Sequence, residues 1–171
     1  MFTFRVVPLP DGRMQDARVG LSDDRGLENL YRAEHDRLWR SLLAFSGSPE
    51  VASDATAEAF AQALRRPAEL RDPRRRIWRA AFRIAAGELK TRSRMRGAMP
   101  EAAYEMEEPA RELIAALRLL STKQRLAVVL HDAAGYPAGE IAAVIGSTPA
   151  AVRVHLMRAR RRLRELLEED D

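Results

Sequence analysis

The chain has 171 residues, 46% of them hydrophobic and 32% charged, with a formal net charge of +4. It contains no cysteine, which excludes a disulfide framework and a thiolate metal site. No apolar run is long enough to cross a bilayer and the first residues lack a signal peptide's apolar core, so a cytoplasmic protein of one domain or two small ones is expected.

Residues 1–26 are the least regular part. Phe2, Phe4 and Val6 alternate like a short strand before Pro8, Pro10 and Gly12 break it, and the segment reads as an N-terminal extension. From Leu27 the pattern is helical. Leu27, Leu30, Tyr31, Leu38, Leu42 and Phe45 recur at threes and fours and stop at Gly47. Ser48-Pro49 forms a cap-and-proline start for a second helix with Val51, Ala55, Ala59, Phe60 and Leu64 inward, ended by Pro67. Asp72-Pro73 opens a third, through Ile77, Trp78, Ala81, Phe82, Ile84, Ala85 and Leu89 to about Arg96.

Residues 97–109 read as a flexible acidic linker. A short helix carrying Leu113, Ala116, Leu117 and Leu120 comes next. Ser121 with Gln124 makes a capping box for the next helix, whose inner face is Leu126, Val129, Leu130 and Ala133 and which stops at Gly135. Pro137 restarts the chain, Ile141, Val144 and Ile145 form an apolar face, and Gly146-Ser147-Thr148 breaks it. Thr148 caps a last helix with Pro149 at its first position. A short helix, a glycine turn and a basic helix form the pattern of a helix-turn-helix DNA reader.

Charge follows the same division. Residues 65–96 hold twelve basic residues against Glu69, Asp72 and Glu88, and Arg153 to Arg164 holds six arginines and no acid. Between them lie Glu101, Glu105, Glu107, Glu108 and Glu112. Two basic blocks separated by an acidic one fit two nucleic-acid-facing surfaces. On the last helix Val152, Leu156, Ala159 and Leu163 share the inner face. Thr148, Ala150, Ala151, Arg153, Val154, Met157, Arg158 and Arg161 are left as candidate DNA contacts. Arg153 is the best placed for a bidentate contact to guanine, and the later arginines are placed for phosphate.

Two halves of this chain resemble the σ2 and σ4 domains of extracytoplasmic-function sigma factors of bacterial RNA polymerase. The second half carries Leu120, Gln124-Arg125, Val128-Val129-Leu130, Gly135, Glu140-Ile141-Ala142, Gly146, Val152-Arg153 and Leu156-Met157-Arg158-Ala159-Arg160, ending at Leu163. In the first half, Leu30-Tyr31-Arg32 with Leu38, the stretch Ala52 to Phe60, and Phe82-Arg83-Ile84-Ala85 resemble the family's σ2 motifs. Ser53 and Ala57 depart from the clamp-gripping segment, and Ala86-Gly87 replaces the usual Arg-Asn.

The resemblance implies an all-α protein with a σ2-like three-helix bundle over 27–96 and a σ4-like four-helix domain over 110–168. It implies that Asp54, Glu58 and Phe60 meet core polymerase. It implies that Arg74, Arg75, Arg76, Trp78, Arg79, Phe82, Arg83 and Lys90 engage the −10 element, with the two aromatics stacking on unpaired bases. The implied partners are core RNA polymerase, promoter DNA (duplex at −35, single-stranded at −10) and an anti-sigma factor. No membrane contact, cofactor or metal is implied. His35, His131 and His155 stand alone, and no catalytic set can be assembled. A stand-alone helix-turn-helix regulator with a helical sensor domain and a helical adaptor for acidic proteins are the competing readings.

Overall fold

The structure is a computed structural model and describes residues 24–66, 72–96 and 107–168. The expected strand over Phe2 to Val6, the Pro67 stop and residues 97–106 of the expected linker lie outside the described residues. Helices account for nearly all that is described, in the order α1 (Asp24–Ser46), α2 (Pro49–Arg65), α3 (Pro73–Arg96), α4 (Glu108–Arg118), α5 (Thr122–Val128), α6 (Ala138–Ile145) and α7 (Pro149–Glu168). Helix α5 runs on into one π-helical turn, Val129–Ala133. The fold is all-α, three helices followed by four.

The helices start where the capping chemistry requires. Ser48 Oγ accepts from Val51 N–H, and Asp72 Oδ1 accepts from Arg75 N–H. Ser121 and Gln124 form both arms of the capping box, at 3.3 and 3.2 Å. Thr148 Oγ1 accepts from Ala151 N–H at 3.2 Å. Gly146, at φ 62°, supplies the left-handed turn between α6 and α7.

In the first lobe, Leu38, Leu42 and Phe45 of α1, Val51, Ala55 and Ala59 of α2, and Ile77, Trp78, Ala81, Phe82 and Ala85 of α3 are excluded from solvent. Phe82 lies 5.7 Å from the Phe45 ring and stacks on Trp78 at 6.1 Å. In the second lobe, Val152, Leu156 and Ala159 of α7 seal against the buried faces of α5 and α6, which include Leu126 and Ile141.

Two inward assignments from the sequence are corrected. Leu64 is exposed and Ala63 takes the buried place, because that phase of α2 faces α1 and α3. Ala133 is exposed and Ala134 is buried, because the π turn holds one residue more than an α turn and shifts the face by one position. Tyr31 is also half out of the core, at 43% exposure.

The lobes are packed together. Their buried residues form one continuous cluster, with α1 against α4 and the π turn, and α3 against α6. Gly47 turns at φ 67° directly over Arg118, whose Cδ would sit 3.1 Å from any Cβ there. Both the positive φ and the close approach make glycine the fitting residue.

Candidate nucleic-acid interface

Helix α7 presents its outer face to solvent. Ala150, Arg153, Val154, Met157, Arg158 and Arg161 are exposed, and Ala151 is half-buried. The inner face is anchored by Val152, Leu156 and Ala159, so the outer row has a fixed phase. Arg153 and Arg158 meet no acidic side chain among the described residues. Val154 and Met157 leave apolar side chains in solvent, 40% and 63% exposed, between these arginines. Arginines flanking exposed apolar groups match what a base edge in the major groove offers, a guanine acceptor pair beside a thymine methyl.

Not every arginine of this helix faces outward for phosphate. Arg160 Nε donates to Asp132 Oδ2 at 3.2 Å and ties α7 to the π turn. Burial pushes the Asp132 carboxyl up, but hydrogen bonds from Arg160 and His131 outweigh it and hold the group below its ordinary value. Arg161 and Arg162 share Glu165, at 2.9 and 3.3 Å. All three pairs are exposed and weak enough to yield to a phosphate.

Helix α3 carries the second basic surface. Arg76, Arg79, Arg83 and Lys90 are exposed and recur every three to seven residues on one face, opposite the buried side. Arg74 and Arg75 turn elsewhere. Arg74 Nε donates to Glu34 at 2.9 Å, and Arg75 pairs with Asp72 at 3.1 Å and with Glu140 of α6 at 2.9 Å. At the N-terminal end of the stripe, Arg65, Arg66 and Arg76 rim a cleft of about 410 Å³ floored by Ala59, Ala63, Ile77 and Ala80.

The aromatic pair departs from the expectation. Trp78 and Phe82 are both 0% exposed. Trp78 Nε1 donates to Glu34 Oε2 at 3.0 Å, which satisfies its one donor inside the fold. Neither ring is available to an unpaired base in this arrangement, because their phase on α3 is that of Ile77, Ala81 and Ala85.

Of the three residues expected to meet polymerase, Asp54 and Glu58 are one turn apart on the outer side of α2. Glu58 accepts from Gln62 at 2.9 Å and Arg65 at 2.7 Å, and the Gln62 hydrogen bond leads in holding its pKa low. Phe60 is instead core, 5% exposed with its ring 4.9 Å from Tyr31. Beside the acidic pair, Trp39 Nε1 donates to Ser53 Oγ at 3.0 Å, across a groove that also holds Tyr31, His35 and Arg40.

Among the described residues, no group of three or more histidine, aspartate and glutamate side chains could hold a metal ion. His35 and His131 each meet the carboxylate of the next residue, Asp36 and Asp132. No described helix is long and apolar enough to cross a membrane.

Sequence reasoning gave no role to Glu34, Arg37, Arg125, Tyr136 or Glu140. Arg125 is 8% exposed, and burial and then the Arg118 charge pull its pKa below the usual arginine value. Tyr136 is pushed up to about 12 by burial. The Gln124-Arg125 pair was the available signal, but a motif does not say what the guanidinium touches.

Residues 110–163 match the family described as Sigma-70, region 4, which is the segment from α4 through most of α7. No curated protein matches the chain. Among solved structures, the chain is similar to the sigma factor RpoE in complex with the anti-sigma factor NepR from Bartonella quintana. That likeness has a TM-score of 0.72 and 21% identity, and covers 86% of this chain and 99% of the other. It is also similar to CnrH in complex with the cytosolic domain of CnrY, with a TM-score of 0.65, 22% identity, and 88% and 92% coverage. The likeness in fold therefore runs through both lobes, whereas the family match is confined to the second: residues 110–163 are similar to Sigma-70 region 4, on the helix-turn-helix that presents Arg153, Val154 and Met157 to solvent.

Proposed function

We propose that the chain is an RNA polymerase sigma factor of the extracytoplasmic-function kind, which gives core polymerase its promoter specificity. The observation that carries this reading is the region 4 match falling on a helix-turn-helix with an open, arginine-bearing reading face. The second lobe, 110–168, reads −35 DNA as duplex through α7. The first lobe, 27–96, binds core polymerase through α2 and holds −10 DNA along the Arg76–Arg79–Arg83–Lys90 stripe of α3. The basic-rimmed cleft beside Arg76 offers an apolar floor for an unstacked base, in place of the buried Trp78 and Phe82. The bond-making chemistry belongs to the polymerase, and an anti-sigma factor is a further partner of the kind seen with RpoE.

Run-off transcription with purified core polymerase on genomic promoter fragments tests the reading. Promoter-specific transcripts and co-purification with core are expected. A chain that gives neither is not a sigma factor.

Arg153→Ala reduces −35-dependent transcription about tenfold and relaxes base preference at one position, the loss of one bidentate contact of roughly 1–3 kcal/mol. Transcription from a set of promoters varied at −35 checks this. Equal loss on every sequence would make Arg153 a phosphate contact.

Asp54→Arg combined with Glu58→Arg weakens core polymerase binding at least tenfold and leaves binding to a −35 duplex unchanged. Fluorescence anisotropy with core and with duplex separates the two effects. Unchanged core affinity would remove this patch from the interface.

A further inference from the structure

Helix α3 is unbroken from Pro73 to Arg96, yet it carries a glycine past its middle, Gly87. Glycine is the poorest helix former after proline, because its backbone loses the most freedom on folding. An interior glycine therefore calls for a reason, and packing supplies none. Its φ is not positive, and a Cβ built there meets no atom within 4 Å. A hinge is not the reason either. Beyond Gly87 the helix is still pinned to the first lobe, by Leu89 packed against the core and by Arg92, which reaches Glu50 of α2 at 3.4 Å. Thr91 Oγ1 donates to Gly87 O at 3.1 Å, so the ladder is reinforced at this point rather than loosened.

At about 100° per residue, the exposed Gly87 falls in line with Arg76, Arg79, Arg83, Lys90 and Arg94, within the basic stripe. Each of those cations is exposed, and Arg83, Lys90 and Arg94 meet no acidic side chain among the described residues. Arg83 stands one turn before the glycine and Lys90 one turn after it, about 10 Å apart along the axis. Between them the helix surface falls back to the main chain, and Ala86 alongside adds only a methyl. The stripe thus has a notch with a cation at either end. A nucleic-acid strand has the complementary profile, a sugar standing between two phosphates.

We propose, on the sigma-factor reading, that Gly87 is the seat of one sugar of the unpaired −10 strand, whose flanking phosphates are held by Arg83 and Lys90. A side chain at this position would lift the strand off the helix and away from both cations. Gly87 reads no base, since a Cα meets the sugar of any nucleotide alike. It is a positioning residue that sets how closely the strand follows α3 toward the cleft rimmed by Arg76.

Gly87→Ala and Gly87→Leu separate this seat from a neutral defect in the helix. Gly87→Ala raises the thermal midpoint by about 2–4 °C, so a loss of function in it is not a loss of folding. Holoenzyme is assembled from core polymerase and each chain on a promoter found by run-off transcription. Opening is followed by permanganate reactivity of unpaired thymines. Gly87→Ala reduces opening about tenfold, the scale of one methyl forced into a close contact, and Gly87→Leu reduces it further. Affinity for core polymerase and for a −35 duplex stays unchanged in both. The free chain is also titrated with a fluorescein-labelled single-stranded oligonucleotide of mixed sequence, and binding weakens in the same order. Opening and single-strand binding equal to those of the unmodified chain overturn the seat, as does a loss of core affinity in step with opening. Single-strand binding that falls with Gly87→Leu, in a chain that gives no promoter-specific transcript, keeps the seat and overturns the sigma-factor reading. An unmodified chain that neither opens a promoter nor binds the oligonucleotide overturns both.

Discussion

Trp78→Ala lowers the stability of the protein by about 3–5 kcal/mol, the range for emptying a large buried aromatic site. The indole is wholly enclosed, stacks on Phe82, and donates to Glu34. Arg37 and Arg74 lie over its ring at 5.7 and 6.0 Å, adding cation–π attraction that an aliphatic replacement would lose. Its position next to Tyr136 also puts it in the core shared by both lobes. Urea unfolding followed by circular dichroism should show the midpoint fall for all helical signal together. Near-native stability with a loss confined to promoter melting would return Trp78 to the role of a base-stacking surface.

Arg125→Ala has a comparable effect, about 3 kcal/mol, by a different route. Its guanidinium serves Phe45 O, Arg118 O and Leu120 O at once, at 3.0, 3.4 and 3.4 Å. Removing it leaves three inward carbonyls unmet, each costing roughly 1–3 kcal/mol before relaxation and water entry. It also removes a cation 5.8 Å from the Phe45 ring. Arg125→Lys rescues only part of the loss, since a single ammonium cannot reproduce the planar fork that spans three acceptors. Full rescue by lysine in the same urea experiment would show that the charge alone matters.

The helices and their starts were legible because they depend on near neighbours. Ser48, Asp72, Ser121 and Thr148 form caps within three residues of themselves, and the inner row of α7 follows from spacing alone. The reading face of α7 was legible for the same reason, as the complement of that row. The role of an aromatic was harder to read. Trp78 and Phe82 share the phase of Ile77 and Ala85, and periodicity cannot tell a core aromatic from a stacking platform. The packing of the lobes was not legible at all. Arg37 with Ala134, Arg125 with Phe45 and Arg75 with Glu140 are separated by long stretches of chain, and arginines in a basic sequence read as surface. The shift from Ala133 to Ala134 escaped as well, since periodicity assumes an α-helical turn.

That last detail makes chain length a variable in its own right. Tyr136 faces the first lobe because the turn Val129–Ala133 holds one residue more than an α turn, after which Tyr136 N–H closes on Leu130 O at 2.9 Å. Were all the turn's residues kept and the turn rewound as ordinary α-helix, the chain downstream would rotate by about 100°. Arg37 would lose its carbonyls and Tyr136 its place beside Trp78, with no side chain changed in kind. Loss of one codon here, by contrast, gives an α turn with Ala134 still on the buried face, so this turn is where the helix can absorb a one-residue change in length.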